Sequence, residues 1–304
     1  MKSFDVVGLG MATTDILTEV PRLPKSNDVF QVRSLDIQGG GPVATALVAL
    51  AKLGAKAAYL GSVAPDDWGD RVLADFHRYG VNTEWTFRTE TGESSLSIIL
   101  VEEGLGHRSI LYRKSSAPEI TAKDLPIELL SSARVLHLDG FYLDAALESA
   151  RIARSNGVLV SLDGSAGESI WAGMDKLLPL IDILVVARKF AQLVTGENNP
   201  LKAGPLLQNF GATQVVITDG ENGCWYWDAK QHIFQPSFKV DVVDTTGAGD
   251  TFHGAYLFAN LQGWAPGRCL CFASATAAIK CTNFGGRQGI PKYKQVLDFI
   301  ESRG

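Results

Sequence analysis

The sequence predicts an α/β protein whose central sheet is mostly parallel and covered by helices on both faces. Short β-branched runs alternate with helical stretches along most of the chain, which is the pattern of such a sheet. One stretch, about 86–116, has strands without helices between them and predicts a small separate β-sheet. With 304 residues, 46% of them hydrophobic, the chain has enough apolar material for a sizeable core.

Charge and composition narrow the class of ligand. The net charge is −5, and basic blocks are missing from the sequence, which argues against nucleic acid or an anionic membrane as the main partner. We therefore expect a small-molecule ligand. The N-terminus runs directly into a strand and the four cysteines do not form a disulfide pattern, so a cytoplasmic protein is expected.

The first strand, Phe4–Gly10, ends in glycines. It does not complete a dinucleotide-binding fingerprint, because Thr13 stands at the third glycine position. Asp15 comes directly after this strand. Its carboxylate either contacts a ligand hydroxyl or forms an Asx turn.

Three consecutive glycines then separate a predicted strand, Val29–Ile37, from a predicted helix, 43–54. Pro42 near the first turn and Gly54 at the end suit that helix. Gly39, Gly40 and Gly41 are more than a helix cap requires, and so they indicate a ligand against the backbone. A simple helix N-cap is the alternative.

The helix-free strands form a predicted lid. Strands at 86–88, 94–101 and 108–113, together with 29–38, suggest a small antiparallel sheet. The whole chain, 1–304, is therefore interpreted as one domain with lid segments at about 12–38 and 86–116. Exposed strand edges usually need covering, which favours a dimer with the lids in mutual contact.

Regular alternation resumes after the lid, with strands predicted at 135–139, 158–163, 182–187 and 214–218. Helical stretches fall near 144–156, 171–181 and 189–210. Ligands of such sheets bind at the carboxyl ends of the strands, where Asp139, Asp163 and the turn Thr218–Gly220 are expected. Each of these is also explained as a turn former.

A glycine-rich turn follows a predicted strand at 238–243 and opens an apolar helix. Gly247, Ala248 and Gly249 leave the first helical N–H groups free to surround an anion, assisted by the helix dipole. Asp250, at the helix start, is placed to accept a proton from a hydroxyl group. The alternative is an ordinary capped helix.

The run Asp244-Thr-Thr-Gly-Ala-Gly-Asp250 resembles the signature of the ribokinase/PfkB family of carbohydrate kinases. The resemblance spans nearly the whole chain and implies a ribokinase-like three-layer sandwich with a β-sheet lid. It implies that Asp250 is the catalytic base and that Gly247, Ala248 and Gly249 form an anion hole. ATP and Mg²⁺ are the implied cofactors, and a homodimer is common in the family.

Further site residues follow from the resemblance. Substrate contacts are implied for Asp15, Gly39, Gly40, Gly41 and Asp139. Nucleotide contacts are implied for Thr218, Gly220, Gly223, Gly249, Asn283 and Gly286. Asp244 and Thr246 resemble the family's monovalent-cation site, where K⁺ steadies the turn.

Two departures bear on the substrate and the metal. Ala44 stands where the family carries an asparagine, which leaves the identity of the sugar open, and 187–190 lacks the family's Asn-x-x-Glu motif. The closest branch is interpreted as the ketohexokinase-like and sulfosugar kinases, although Val29, Tyr112 and Phe141 do not suit a sulfonate.

The function expected from the sequence is ATP-dependent phosphorylation of a primary hydroxyl of a ketose or pentose. A nucleoside kinase of the same fold, with Phe141 and Tyr142 beside a base, is one alternative. A catalytically silent sugar-binding regulator is another.

Overall fold

A computed structural model describes residues 2–32, 34–104, 107–165 and 169–303. The β-strands of these residues, β1 to β14, are Phe4–Leu9, Thr13–Val20, Leu35–Gly40, Ala57–Leu60, Ser62–Val63, Phe87–Arg88, Leu96–Glu102, Arg108–Arg113, Ala133–Leu138, Leu159–Gly164, Ile183–Ala187, Gln214–Thr218, Cys224–Trp227 and His232–Gln235. The α-helices, α1 to α10, are Pro42–Leu53, Asp67–Tyr79, Ile127–Ser132, Leu143–Ser155, Met174–Leu177, Arg188–Thr195, Pro200–Gln208, Ala248–Leu261, Pro266–Cys281 and Tyr293–Glu301.

Eight strands form the central sheet in the order β14-β13-β12-β11-β10-β9-β1-β4. The six strands from β12 to β4 are parallel, and β13 and β14 add an antiparallel edge. Parallel neighbours need crossover connections, and the intervening helices supply them. The predicted fold class is confirmed.

Alternate strand residues enter two different cores. Val6 and Val135 pack with α1, α8 and α9 on one face. Val7 and Leu136 pack with α4, α6 and α7 on the other. A sheet buried on both faces explains why its strands are apolar throughout, and it makes three layers.

A second sheet, which we call the lid, has the order β3-β2-β7-β8. β2 pairs with β7 in parallel, whereas the outer pairs are antiparallel. One face of the lid packs Leu17, Ile99 and Val101 against Phe284. The lid therefore rests on the loop that follows α9.

Several boundaries differ from the sequence prediction. Asp15 lies inside β2 instead of in a turn after β1, and β3 begins at Leu35, not at Val29. The helical stretch 189–210 is two helices, because Gly196 ends α6 with φ 74° and the Asn199 side chain accepts from the Leu201 N–H to begin α7.

The strand predicted at 238–243 is also wrong. These residues belong to no sheet, and the N–H groups of Val243 and Asp244 instead donate to the Cys281 carbonyl, at 2.8 and 3.2 Å. Alternation of side chains does not make a strand without a neighbouring strand to pair with. Among the described residues, no helix has both the length and the apolar character needed to span a bilayer.

Candidate active site

The start of α8 is an open anion-binding turn. Gly247 precedes the helix with φ 70°, and no side chain of the described residues caps the first turn. Open space surrounds the position where a Cβ on Gly249 would lie, so a ligand can approach the helix start there, whereas the Ala248 N–H donates to the Thr245 carbonyl at 3.2 Å. These features suit a phosphate-like ligand.

Gly247 is needed for steric reasons as well. A Cβ on this residue would lie 2.8 Å from the carbonyl oxygen of Gly286, and its positive φ is one that side chains rarely adopt. Gly286, predicted to line the adenine site, is therefore in contact with the anion-binding turn itself.

Asp250 lies in the first turn of α8 and is half-buried. Burial and, next, the nearby Asp163 carboxylate raise its pKa well above the ordinary value, whereas Arg108 and Arg287 act in the opposite direction. Asp250 thus shares its surroundings with both acidic and cationic groups, as is common for residues that exchange protons.

Arg108 links the lid to this turn. It begins β8, and its guanidinium donates to the Thr245 hydroxyl at 2.9 Å. The lid therefore brings a positive charge to the anion-binding turn from a position more than 130 residues away in sequence.

A buried polar cluster underlies Asp250. His137, Asp163 and His253 are almost fully buried, and His253 Nε2 lies 3.4 Å from an Asp163 oxygen. Burial lowers the pKa of each histidine to about 3, so both imidazoles are neutral at pH 7. Burial also raises the pKa of Asp163, with Ser165 and His137 acting in the opposite direction, and Asp163 in turn raises the pKa of Asp250.

Asp15 and the three glycines meet at the junction of β2, β3 and α1. The Asp15 carboxylate packs directly against Gly40, and its Oδ1 is buried without a partner among the described residues. Burial is the largest cause that raises the pKa of Asp15 to about 7. A carboxylate with an unsatisfied oxygen is placed to accept a hydrogen bond from a ligand hydroxyl.

Asp139 follows β9 but is already engaged. Its two oxygens accept from the N–H groups of Met11 and Phe141, at 2.8 and 3.0 Å. Burial raises its pKa to about 6. The carboxylate joins the β1–β2 connection to the end of β9, and its predicted substrate contact stays a prediction.

Arg287 connects the glycines at the end of β3 to the C-terminal loop. Its guanidinium is buried, forms an ion pair with Asp75, and donates to the carbonyl of Gly40 at 2.8 Å. Nε donates to the Thr45 hydroxyl at 3.2 Å. A Cβ on Gly39 would overlap the guanidinium, which accounts for that glycine.

The predicted nucleotide loop lies at the end of β12. Thr218 ends the strand, and Asp219 accepts from Arg188 at 2.8 Å. A Cβ on Gly223, where φ is 93°, would overlap the Gln235 carbonyl. The Asn283 amide donates within its own helix end, to Thr282 at 3.0 Å. The roles of Thr218, Gly220, Gly223 and Asn283 stay predictions.

Asp244 is fully buried at the other end of the signature. Its carboxylate oxygens accept from the N–H groups of Thr246 and Gly285, each at 2.8 Å. Its main-chain carbonyl accepts from the ammonium of Lys280 at 2.8 Å. The buried Thr246 Oγ1 has no partner among the described residues, but all three Asp244 oxygens already accept hydrogen bonds and the Lys280 ammonium lies beside them, so this site does not fit a free K⁺ ion.

Sequence reasoning missed three cations around the site: Arg108, Lys280 and Arg287. Lys280 carries a signal in the sequence, since it lies in the last turn of the small-residue helix α9, whose other charged residue, Arg268, lies in the first turn. Arg287 follows a Gly-Gly pair, but neither position reveals its partners. Arg108 was predicted only as part of a lid strand.

An anion-binding helix start with a carboxylate beside it, at the edge of a doubly covered parallel sheet, defines an α/β enzyme class that transfers anionic groups to small molecules. Residues 1–293 match the model of the family described as pfkB family carbohydrate kinase. The chain therefore belongs to the pfkB family of carbohydrate kinases.

Named relatives agree with that assignment. The chain is 29% identical to a ribokinase of Haemophilus influenzae, over 96% of this chain and 97% of the relative. It is 29% identical to fructokinase-1 of Zea mays, over 86% and 88% of the two chains. The predicted family and enzyme class are confirmed, whereas the predicted branch is not resolved.

Solved structures match over almost the full length. A ribokinase of Arabidopsis thaliana, solved with ribose and ATP, superposes with a TM-score of 0.82 at 26% identity, covering 98% of this chain and 99% of the other. A protein of Agrobacterium tumefaciens superposes with a TM-score of 0.91 at 26% identity, covering 99% and 98%.

Proposed function

We propose that the protein is an ATP-dependent kinase that phosphorylates a primary hydroxyl of a small ketose or pentose. The observation that carries this proposal is the open turn at Gly247–Gly249, with Asp250 beside it. The relatives named ribokinase and fructokinase act on sugars of these two classes, which supports the substrate range.

Asp250 is the general base in this proposal. As a carboxylate, it accepts the proton of the attacking sugar hydroxyl, so that the oxygen becomes the better nucleophile. Burial raises its pKa well above the ordinary value, which makes its carboxylate a stronger proton acceptor.

The N–H groups at Gly247, Ala248 and Gly249 receive the charge that develops on the transferred phosphoryl group. Preorganised donors of this kind stabilise a transition state without reorganising during the reaction. Arg108, held at Thr245, adds positive charge on the lid side.

Asp15 and the glycines after β3 position the sugar. The unpartnered Asp15 oxygen accepts from a sugar hydroxyl, and the absence of side chains at Gly39, Gly40 and Gly41 lets the ring approach the backbone. Holding the hydroxyl near the phosphoryl group is itself a large part of catalysis.

In this proposal the turn at 247–249 would hold the ATP phosphates, and residues 218–223 and 283–286 would hold its base. Mg²⁺, when bound with ATP, neutralises phosphate charge. The segment Ala187–Phe190 offers no carboxylate to it, so the protein's own contribution to charge balance comes from amides and arginines.

The nucleoside-kinase alternative has less support. Phe141 packs edge-on against Tyr142 and Trp171, with ring centroids 5.0 Å apart in both pairs. These aromatic rings thus pack against one another, which leaves them less available to stack on a base. A silent regulator would not need the intact Asp250 and its glycine turn.

A panel assay tests the proposed function. ATP consumption is measured with ribose, fructose, related ketoses and pentoses, and nucleosides, each at several concentrations. We expect turnover with a free sugar and none with nucleosides. Turnover restricted to nucleosides would establish the alternative, and sugar binding without turnover would indicate the regulator.

We also propose that two copies pair through the lid and that the enzyme is cytoplasmic. An apolar row crosses all four lid strands in register: Ile37, Ile98 and Leu111, which are exposed, and Ile16, which is partly exposed. Such a row, with two free strand edges, favours burial against a second lid. The four free thiols suit a reducing compartment.

A further inference from the structure

Lys280 is an unusual residue for its position. It lies in the last turn of α9, and its side chain has no exposed surface. Lysine is almost never fully buried unless its charge is compensated. Its ammonium donates to the main-chain carbonyl of Asp244, the first residue of the signature turn, at 2.8 Å.

The C-terminal end of α9 also holds the signature turn through hydrogen bonds from the main chain. The carbonyl of Cys281, the next residue, accepts from the N–H groups of Val243 and Asp244. Lys280 and Cys281 therefore hold Asp244 from the side chain and from the main chain together. Burial lowers the pKa of Lys280, and the negative charge of Asp244, fixed by the N–H groups of Thr246 and Gly285, acts in the opposite direction and offsets part of that effect.

A second cation has no suitable place beside this one. A monovalent ion in a protein is held by carbonyl and carboxylate oxygens that replace its hydration shell. Here the Asp244 carbonyl and both carboxylate oxygens already accept hydrogen bonds, and a nearby ammonium would repel the ion.

We propose that Lys280 is a built-in monovalent cation, which steadies the anion-binding turn in place of K⁺ and makes the enzyme independent of added monovalent ions. This inference rests on the proposed kinase function for its activity readout. Lys280 touches neither reactant in this proposal: it is a positioning residue that acts through Asp244.

The first test uses the unmodified protein. Activity and thermal unfolding are measured in KCl and in tetramethylammonium chloride at equal ionic strength. We expect both to be the same in the two salts. A marked loss of activity or of melting temperature without K⁺ would overturn the proposal, and no variant needs to fold for this outcome.

The second test uses Lys280→Met, with Thr276→Val as the matched control. Thr276 is buried one turn earlier on α9, and its hydroxyl bonds only within that helix, to the Phe272 carbonyl. We expect Lys280→Met to lose about 10- to 100-fold in kcat in tetramethylammonium, since the donors of the turn are no longer fixed. K⁺ or NH₄⁺ should restore part of that activity and should raise the melting temperature of this variant alone.

The outcomes separate the two proposals. Salt-dependent melting of Lys280→Met, with a salt-independent parent and control, supports the built-in cation even if every sugar tested is inert. Full activity of Lys280→Met in tetramethylammonium, or no rescue of its melting temperature by K⁺ or NH₄⁺, would contradict it.

Discussion

Three carboxylates near the start of α8 have pKa values that are raised for one shared reason, which is burial. Asp250, Asp15 and Asp163 are removed from water, so their charged forms are disfavoured. Arg108 and Arg287 partly restore the charge of Asp250. The balance between burial and these two arginines decides whether Asp250 is charged and able to accept a proton.

Asp250→Asn is the test of the catalytic base. We expect kcat to fall roughly 10²- to 10⁴-fold, because the amide cannot accept the proton, while ATP binding by calorimetry stays near normal. Asp241→Asn is the control, since Asp241 is exposed on the preceding loop. Near-normal turnover of Asp250→Asn would remove Asp250 from this role.

Asp15 gives sugar binding a dependence on pH. Its folded pKa of about 7 means that it is protonated below neutrality and becomes a better acceptor of sugar hydroxyls as the pH rises. Calorimetry with the assigned sugar, in the Asp250→Asn background so that Asp250 does not titrate, should show tighter binding from pH 6 to pH 8. The same Kd across that range would contradict the contact, and Asp15→Asn should bind weakly at every pH.

Among the elements, the loop after α9 connects the most parts of the site. Phe284 packs under the lid, Gly285 donates to Asp244, and Gly286 touches Gly247. The next residue, Arg287, reaches the glycines at the end of β3. A single loop thus fixes the distance between the anion-binding turn and these glycines.

Arg287→Lys should weaken the connection between the anion-binding turn and the glycines at the end of β3. Lysine keeps the charge beside Asp75 but loses the planar fork that also binds Gly40 and Thr45. We expect the KM for sugar to rise roughly tenfold, about the loss of one charge-assisted hydrogen bond, with a smaller change in the KM for ATP.

The control for this variant is Arg154→Lys, whose ion pair with Asp182 is remote from the site. Arg287→Met should additionally lower the free energy of unfolding by about 3–5 kcal/mol, because it leaves a buried carboxylate unpaired. An unchanged sugar KM in Arg287→Lys would show that the arginine only supports the fold.

At the scale of the whole molecule, one face of the lid packs inside the protein and the other face is exposed. Ile99 is 1% exposed and packs inside, whereas its neighbour Ile98 is 42% exposed and belongs to the apolar row. Neighbouring residues of a strand point to opposite faces, so the two isoleucines test different contacts.

Ile98→Glu should convert the dimer to a monomer, and so halve the molar mass in solution, without unfolding the protein. Light scattering of the parent should report about twice the 32.7 kDa chain mass, and the variant should report the single chain. Ile99→Glu should instead lower the melting temperature, because it buries a charge in the lid core. A monomeric parent with full activity would show that the lid needs no partner.

The sequence by itself determined the features that depend on local chemistry. The alternation of strands and helices predicts the sheet, and the run Asp244–Asp250 predicts the turn and its acid, because glycine and helix-start preferences act over a few residues. The lid strand at 108–113 was likewise predicted with its observed bounds.

Only the tertiary structure decided which distant residues contact one another. The alternating segment 238–243 is not a strand, because a strand exists only beside another strand. Likewise, the cation at Asp244 is Lys280 and the partner of Gly40 is Arg287, residues separated from them by 36 and 247 positions. Burial, which raises the pKa of the acids and lowers that of Lys280, belongs to the assembled layers and leaves no local pattern in the chain.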